Sequence, residues 1–283
     1  MIYIFISIVL FALNNVLWKK NLQHSSVPFL IGYRAFFTSS AATLILVYLH
    51  GIEIYENQPL GKITLGSLFG VLGLFCMLTV IKKAPLQWLG VYNLLGIIFT
   101  ALYLYFFENT PVMKSALGLI VIVLGFLLYL YHNSENETKI SPKQHLILMG
   151  MTLSFGISSL IHWKNLDTKV PAILIISNQE LVVFITALFI TSTTIKRPEL
   201  KFQLKKYFPN ALLMALIIFL ALLFSFLGLQ ITNPLISSIL FLATPLLTIA
   251  FGTLFFKEKM SFFNIIAIVI IAIGAFLLHY QNS

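Results

Sequence analysis

Long apolar runs separated by short polar breaks make up almost the whole chain. A helix needs roughly 20 apolar residues to cross about 30 Å of hydrocarbon, so each run predicts a transmembrane helix. Barrel strands are excluded because they are about ten residues long and alternate in polarity. The pattern therefore predicts an all-α membrane protein with ten transmembrane helices, over residues 2–18, 28–50, 63–81, 85–107, 112–132, 145–163, 171–193, 207–229, 234–256 and 261–280.

The breaks between the runs are short and punctuated by proline, which leaves no room for a soluble domain. The first run is expected to be a retained helix rather than a signal peptide. No basic residue precedes it, and Lys19-Lys20 follows where a small-residue cleavage site would stand.

A polar stretch at residues 133–144 divides the ten runs into five and five. We interpret residues 1–132 as a first five-helix repeat, 133–144 as a connecting loop and 145–283 as a second repeat. Because five is odd, the second repeat would enter the membrane from the opposite side. Inverted repeats of this kind are common in secondary transporters, with the solute site near the midplane between the halves.

Matching motifs support the duplication. A proline and a glycine lie forty residues apart in both halves, as Pro85 with Gly125 and as Pro234 with Gly274. A second pair of motifs matches with a one-residue offset: Phe106-Phe107-Glu108 and Phe255-Phe256-Lys257-Glu258.

Composition agrees with a membrane protein and excludes several other classes. Hydrophobic residues make up 59% of the 283 residues and charged residues only 10%, against about 25% charged in a typical soluble domain. The net charge of +9 comes from residues in short breaks and forms no basic stripe, so nucleic acid is not an expected partner. Cys76 is the only cysteine, which excludes an internal disulfide. No phosphate-binding loop for ATP is present, and no cofactor or metal is expected.

The sequence also resembles a known family of membrane proteins. The second half carries Asn233-Pro234, Thr244-Pro245-Leu246, the Phe-Phe-Lys-Glu segment at 255–258 and Gly274. These residues resemble the ninth and tenth helices of EamA-type transporters in the drug/metabolite transporter superfamily. Trp18-Lys19, Pro28 and Arg34 resemble the first and second helices. The resemblance implies transport of small metabolites, amino acids or drugs, often coupled to protons.

Glu180 is the most informative candidate residue. It lies nine residues after Pro171, which places it about 14 Å deep at the rise of an α-helix. A charged carboxylate there costs roughly 3 kcal/mol on insertion scales. A carboxylate that is so expensive to keep charged could exchange a proton for a cationic solute; the alternative is a protonated or ion-paired structural glutamate. Arg34 is a candidate anchor for an anionic group, or the partner of Glu180; it could also snorkel to the interface.

Further candidates lie on helices one, four and nine. Asn14 and Trp18 come late in helix one, where a buried amide needs a partner or a wet cavity. The resemblance implies that helices four and nine line the central cavity, and both carry mildly polar stripes. Helix packing is the competing interpretation of these stripes. The candidate cavity residues on these two helices are Tyr92, Asn93, Ser237, Phe241 and Thr244.

Two residues are candidate hinges or gates. Pro245 removes a backbone hydrogen bond from helix nine and should bend it. Helix four has Leu95-Gly96 where helix nine has Thr244-Pro245, so the two helices need not bend equally. Lys19 and Lys20 are expected to act mainly as anchors at the membrane interface.

The sequence thus predicts a secondary active transporter of a small solute such as an amino acid, amine or drug, working by alternating access and coupled to protons, with an antiporter as one form. The alternative is a flippase for a lipid or lipid carrier, with Arg34 and Lys19 attracting the phosphate headgroup. An intramembrane enzyme is not expected, because the sole aspartate, Asp167, lies in a loop. Its partners would be the solute, protons and the bilayer, as a monomer or homodimer.

Orientation is the one point on which charge and resemblance disagree. The loop at 193–206 carries five basic residues, and its counterpart at 51–62 carries one. The positive-inside rule therefore places both termini outside, whereas many ten-helix relatives are thought to have both termini in the cytoplasm. We follow the charges and expect a multi-pass protein of the plasma, or inner, membrane.

Overall fold

The computed structural model describes residues 2–108, 116–133, 140–194, 197–232, 237, 240–241 and 243–280. The Asn233-Pro234 motif and most of the predicted connecting loop lie outside these residues. The described part is helical, apart from short turns and a 3-10 helix at Ile52–Tyr55. Its α-helices are α1 Ile2–Leu22, α2 Val27–His50, α3 Leu60–Ile81, α4 Leu86–Leu94, α5 Gly96–Glu108, α6 Ala116–Asn133, α7 Pro142–Asp167, α8 Ala172–Thr194, α9 Arg197–Ile231, α10 Ala243–Phe256 and α11 Phe262–Tyr280.

Among the described residues, seven segments are long and apolar enough to cross a membrane: α1, α2, α3, α4 with α5, α7, α8 and α9. Shorter apolar helices at Leu117–His132, Ala243–Phe256 and Phe262–Gly274 fall on the other three predicted runs. Large hydrophobic side chains are exposed along the outer faces, for example Leu44, Leu188 and Phe276. Such an apolar exterior suits contact with lipid, and the chain is a multi-pass integral membrane protein.

The predicted span 85–107 is interrupted near its middle. α4 ends at Leu94 and α5 begins at Gly96. Two tighter, three-residue hydrogen bonds surround the interruption, from Leu95 N–H to the carbonyl of Tyr92 and from Ile98 N–H to that of Leu95. Glycine is a poor helix former because ordering it costs more backbone entropy, which explains why the break falls here.

Helices of the first half pack against helices of the second. α2 lies along α8, α3 along α7, α1 along α9, and α6 along α11, while α10 packs against both α1 and α4. α1 also touches α2, α3 and α4. The core is therefore built between the two halves rather than within each half.

The contact between α6 and α11 repeats itself under an exchange of the halves. Gly125 lies against Ala267 and Ile271 of α11, and Gly274 lies against Gly118 and Ile122 of α6. The residues are equivalent at one spacing, since 274 − 125, 271 − 122 and 267 − 118 all equal 149. Each glycine lets the opposite helix approach closely.

A side chain at either glycine is expected to destabilise the protein. A Cβ at Gly125 would lie 2.8 Å from Ile271 Cγ1, and one at Gly274 would lie 2.8 Å from the Gly118 carbonyl oxygen. Overpacking of this kind costs about 1–3 kcal/mol, so Gly125→Ala and Gly274→Ala should each lower the thermal midpoint of the purified protein. Gly150→Ala is the control, because its Cβ would meet nothing within 4 Å; an equal loss there would contradict the packing argument.

Candidate functional site

A buried ion pair joins α2 to α8. Arg34 Nη1 donates to Glu180 Oε2 at 2.5 Å, and both side chains are only 2% exposed. The Arg34 guanidinium also lies 5.6 Å from the ring centroid of Trp18 on α1, a cation–π distance. Of the alternatives open from the sequence, the structure therefore shows Arg34 as the partner of Glu180, and not as a side chain reaching the interface.

α8 presents four consecutive polar residues, Ser177 to Glu180, in different directions. The hydroxyl of Ser177 hydrogen-bonds that of Thr43 on α2 at 2.7 Å. Asn178 accepts from Ser67 at 2.9 Å and donates to Thr64 at 3.1 Å, both on α3. A polar residue inside a membrane helix must find such partners, and this run finds them on two neighbouring helices.

Gln179 is a candidate that the sequence analysis missed. It precedes Leu181 by two residues, which turns it roughly 160° away from the lipid-exposed face of α8, yet it is partly exposed. Its amide nitrogen lies 3.8 Å from the point that a Cβ on Gly70 would occupy, and the Ser158 hydroxyl lies 3.1 Å from that point. Gln179 therefore lies beside Gly70 and Ser158, where α3, α7 and α8 meet. The uninterrupted Ser-Asn-Gln-Glu run was the available signal.

α1 and α10 run side by side at the level of the predicted site. Phe11 meets Phe241 edge to face at 6.4 Å between ring centroids. Asn15 donates to Thr248 Oγ1 at 3.1 Å. Asn14 and Thr244 lie between these two contacts along the chain. Asn14 Oδ1 and Thr244 Oγ1 are buried and find no hydrogen-bond partner among the described residues.

Two further predicted residues, Tyr92 and Ser237, are buried and hydrogen-bonded. Tyr92 is 2% exposed and its hydroxyl is 2.7 Å from His145 Nδ1. Ser237 is buried and hydrogen-bonds Thr232.

Asn93 is partly exposed, as is Gly96, where a Cβ would meet nothing within 4 Å. Pro245 is buried near the start of α10, with its carbonyl oxygen close to Gly90.

A second ion pair ties the end of α1 to the segment after α10. Lys19 Nζ is 2.6 Å from Glu258 Oε1 and also donates to the carbonyl of Ala84 at 3.0 Å. The Glu258 carboxylate accepts from the backbone N–H groups of Leu86 at 2.8 Å and Gln87 at 3.2 Å. Glu258 therefore caps the first turn of α4, where free N–H groups favour an anion. Lys19, expected to be an interfacial anchor, belongs instead to this largely buried cluster.

A third ion pair joins α7 to α5. Lys164 Nζ is 2.8 Å from Glu108 Oε1, with side-chain exposures of 53% and 28%. Tyr103 also donates to Glu108 at 3.3 Å. A cavity of about 260 Å³ lies near the same end of α7, between Trp163, Asp167 and residues 229–232.

Within the described residues, no cluster of three or more His, Cys, Asp or Glu side chains could hold a metal ion. The chemistry that the site offers is therefore that of buried ion pairs and hydrogen-bonding amides and hydroxyls.

A multi-pass helical bundle with charged pairs buried between its halves is compatible with a membrane transport protein. Residues 143–280 match the family model of the EamA-like transporter family. This match over the second half of the chain confirms the resemblance that the sequence indicated, and it suggests a membrane transporter of the drug/metabolite type. Members of this family are transporters rather than enzymes.

The fold has a counterpart among solved structures. One crystal structure superposes with a TM-score of 0.67 at 15% sequence identity, over 98% of this chain and 94% of that chain. At that identity the likeness concerns the fold alone. A comparison with curated proteins found no match.

Removing one partner of the central ion pair is expected to cost more than removing one at the surface. Glu180→Gln leaves Arg34 charged and buried, which typically costs about 3–5 kcal/mol, whereas Lys164→Gln breaks an exposed pair worth about 0–1 kcal/mol. Thermal midpoints of the purified variants measure the difference.

A double-mutant cycle with Arg34→Gln and Glu180→Gln checks the assignment. The double variant should be far less destabilised than the sum of the single ones, because neither charge is left alone. Strict additivity would contradict the pair.

Proposed function

We propose that the protein is a secondary active transporter of a small polar solute that works by alternating access between two inverted five-helix repeats. The observation that carries this proposal is the reciprocal contact of α6 with α11 at a constant spacing of 149 residues. Equivalent contacts made in both directions are what a two-fold relation between the repeats requires, and such a relation underlies rocking of one repeat against the other.

Ten crossings follow from the same relation. The three shorter apolar helices are α6, α10 and α11, and two of these form the reciprocal pair. A five-helix unit 1–132 that is repeated in 145–283 then places α6 and α11 last in each unit, with residues 133–144 as the connection. In this proposed arrangement the start of α1 and the end of α11 share one face, which we name the terminal face, and α1, α3 and α10 end at the other, which we name the basic face.

The solute site proposed here lies in the centre, where α1, α8 and α10 present polar atoms. Asn14 Oδ1 and Thr244 Oγ1 have hydrogen-bonding capacity that the described residues do not use, and Gln179 is partly exposed. Groups of this kind recognise neutral or zwitterionic solutes with several donors, such as an amino acid. Trp18, Asn93, Ser237 and Phe241 are proposed as surrounding walls, Tyr92 as a support, and Gly96 and Pro245 as the positions where helices four and nine bend.

Proton coupling is proposed to act through the central ion pair. Protonation of Glu180 would remove its charge and release the guanidinium of Arg34, at a point that joins the two repeats. A cationic or carboxylate-bearing solute that competes for one partner of the pair would then be linked to proton movement. An antiporter is the form in which proton and solute exchange on the same carboxylate.

No described contact favours a flippase. Arg34 is held by Glu180 and Lys19 by Glu258, so neither cation is available to a phosphate headgroup in this arrangement.

Uptake into proteoliposomes tests the proposal. The purified full chain should accumulate at least one solute from a panel of radiolabelled amino acids, amines and carboxylates, and an imposed pH gradient should increase the accumulation. Glu180→Asp keeps the charge but shortens the reach to Arg34, so it should reduce gradient-driven uptake about tenfold or more.

Glu56→Gln is the matched control, because this acid is exposed in the first loop and should leave uptake unchanged. Gradient-driven uptake that survives in a folded Glu180→Gln variant would remove the coupling role. Failure of every solute in the panel, with the protein monodisperse, would count against the transport proposal itself.

The charges in the loops predict that the basic face is cytoplasmic. An epitope tag at either terminus should therefore be removed by protease added to intact cells, because the terminal face is outside. A tag within residues 198–206 should be protected. Protection of the terminal tags would reverse the orientation.

A further inference from the structure

The ion pairs Lys19–Glu258 and Lys164–Glu108 are equivalent under the exchange of the repeats. Trp18-Lys19 ends α1 and Trp163-Lys164 comes near the end of α7, at a spacing of 145 residues. α1 and α7 are the first helices of the two repeats. Glu258 follows the ninth predicted span, and Glu108 ends the fourth, in the matching Phe-Phe segments. Each pair thus joins the end of a repeat's first helix to the end of the other repeat's fourth.

Inversion places the two pairs at opposite faces of the membrane. Lys19 and Glu258 come where α1 and α10 reach the basic face. Glu108 and Lys164 come where α5 and α7 reach the terminal face. An equivalent Lys–Glu ion pair therefore lies at each end of the proposed solute pathway.

The two ion pairs differ in how far their side chains are buried. Lys19 and Glu258 are 14% and 7% exposed, and Glu258 is also bound to the first turn of α4. Lys164 and Glu108 are 53% and 28% exposed, and the cavity of about 260 Å³ lies near that end of α7. A carrier that alternates between two states has equivalent positions of its two repeats in unequal surroundings in either state. The two ion pairs differ in burial in this way.

We propose that these two ion pairs are the latches of alternating access, a proposal that rests on the function proposed above. The latch at the basic face is locked in this structure and the latch at the terminal face is loose. In the opposite state the burial is exchanged, so that Lys164–Glu108 is sealed and Lys19–Glu258 is exposed.

Local geometry explains how the locked latch closes its mouth. Gly252 has no side chain, and a Cβ there would lie 2.7 Å from Glu258 Oε2. The chain turns back after α10 through Lys257, whose φ is 53°, and this brings the carboxylate over the start of α4. One carboxylate thereby holds α1, α4 and α10 together, and its release frees all three at once.

Accessibility of one position next to each latch tests the proposal. A single-cysteine background, Cys76→Ala, receives a reporter cysteine at Gln87, which is 1% exposed beside the locked latch, or at Asp167, which is exposed beside the loose latch and lines the cavity. The full chain is placed in lipid nanodiscs, where both faces are open to a charged, membrane-impermeant maleimide, and the labelling rate is measured for each reporter.

Lys19→Gln should raise the labelling rate at position 87 about tenfold or more, a shift of about 1.4 kcal/mol in the balance of states, and should lower the rate at 167. Lys164→Gln should do the reverse. Lys19→Arg keeps the ion pair and should keep the parent rates.

Unchanged labelling at 87 in Lys19→Gln would overturn the latch. A rise at both positions together would also overturn it, because a latch moves the two reporters in opposite directions. Solute uptake with no response of the labelling rates would contradict the latch proposal and still support the transport proposal. An exchange of accessibility between the two reporters, with no uptake of any solute of the panel, would support the latch proposal and contradict the proposed substrate class.

Discussion

The fold depends on one electrostatic constraint: a guanidinium and a carboxylate lie together in an apolar bundle. Either charge alone would be costly there, whereas Arg34 and Glu180 in contact satisfy each other and connect α2 with α8. Because α2 belongs to the first half and α8 to the second, this pair also sets how the two halves meet. Trp18 adds α1 to the same point. Packing along α2 and α8 surrounds the pair and keeps lipid and water away from it.

The second organising feature is the reciprocal packing of α6 and α11, which supports the proposed duplication. Glycines at 125 and 274 let these two helices approach closely, and each glycine meets residues that lie 149 positions from those that the other one meets. Lysines at the ends of α1 and near the end of α7 find glutamates in the same reciprocal way. Such repetition gives a membrane protein two faces built from the same parts, so that a small energetic bias at either face can decide which one opens.

Polar side chains in the centre divide into those that hold helices together and those that remain available. Asn178, Ser177 and Asn15 form hydrogen bonds with residues of neighbouring helices. Within the described residues, Asn14 Oδ1 and Thr244 Oγ1 make no such hydrogen bond, and Gln179 is partly exposed. A transporter needs both kinds, because a rigid frame must enclose a site whose partners are supplied by the solute.

The sequence by itself determined the class of protein. Apolar runs of membrane length, too few charges for a soluble surface and motifs repeated in two halves sufficed, because the bilayer restricts spanning segments to a few solutions. That Glu180 and Arg34 each need a partner could also be predicted, since a charge at that depth is costly wherever the chain folds. Only the tertiary structure decided which groups meet. Lys19 and Glu258 are 239 residues apart in the chain, and Lys19 was expected at the interface, because local sequence does not reveal a partner on a distant helix. The same limit hid the inward direction of Gln179 and the closure of Tyr92 onto His145, since both depend on how helices of different repeats are rotated against each other.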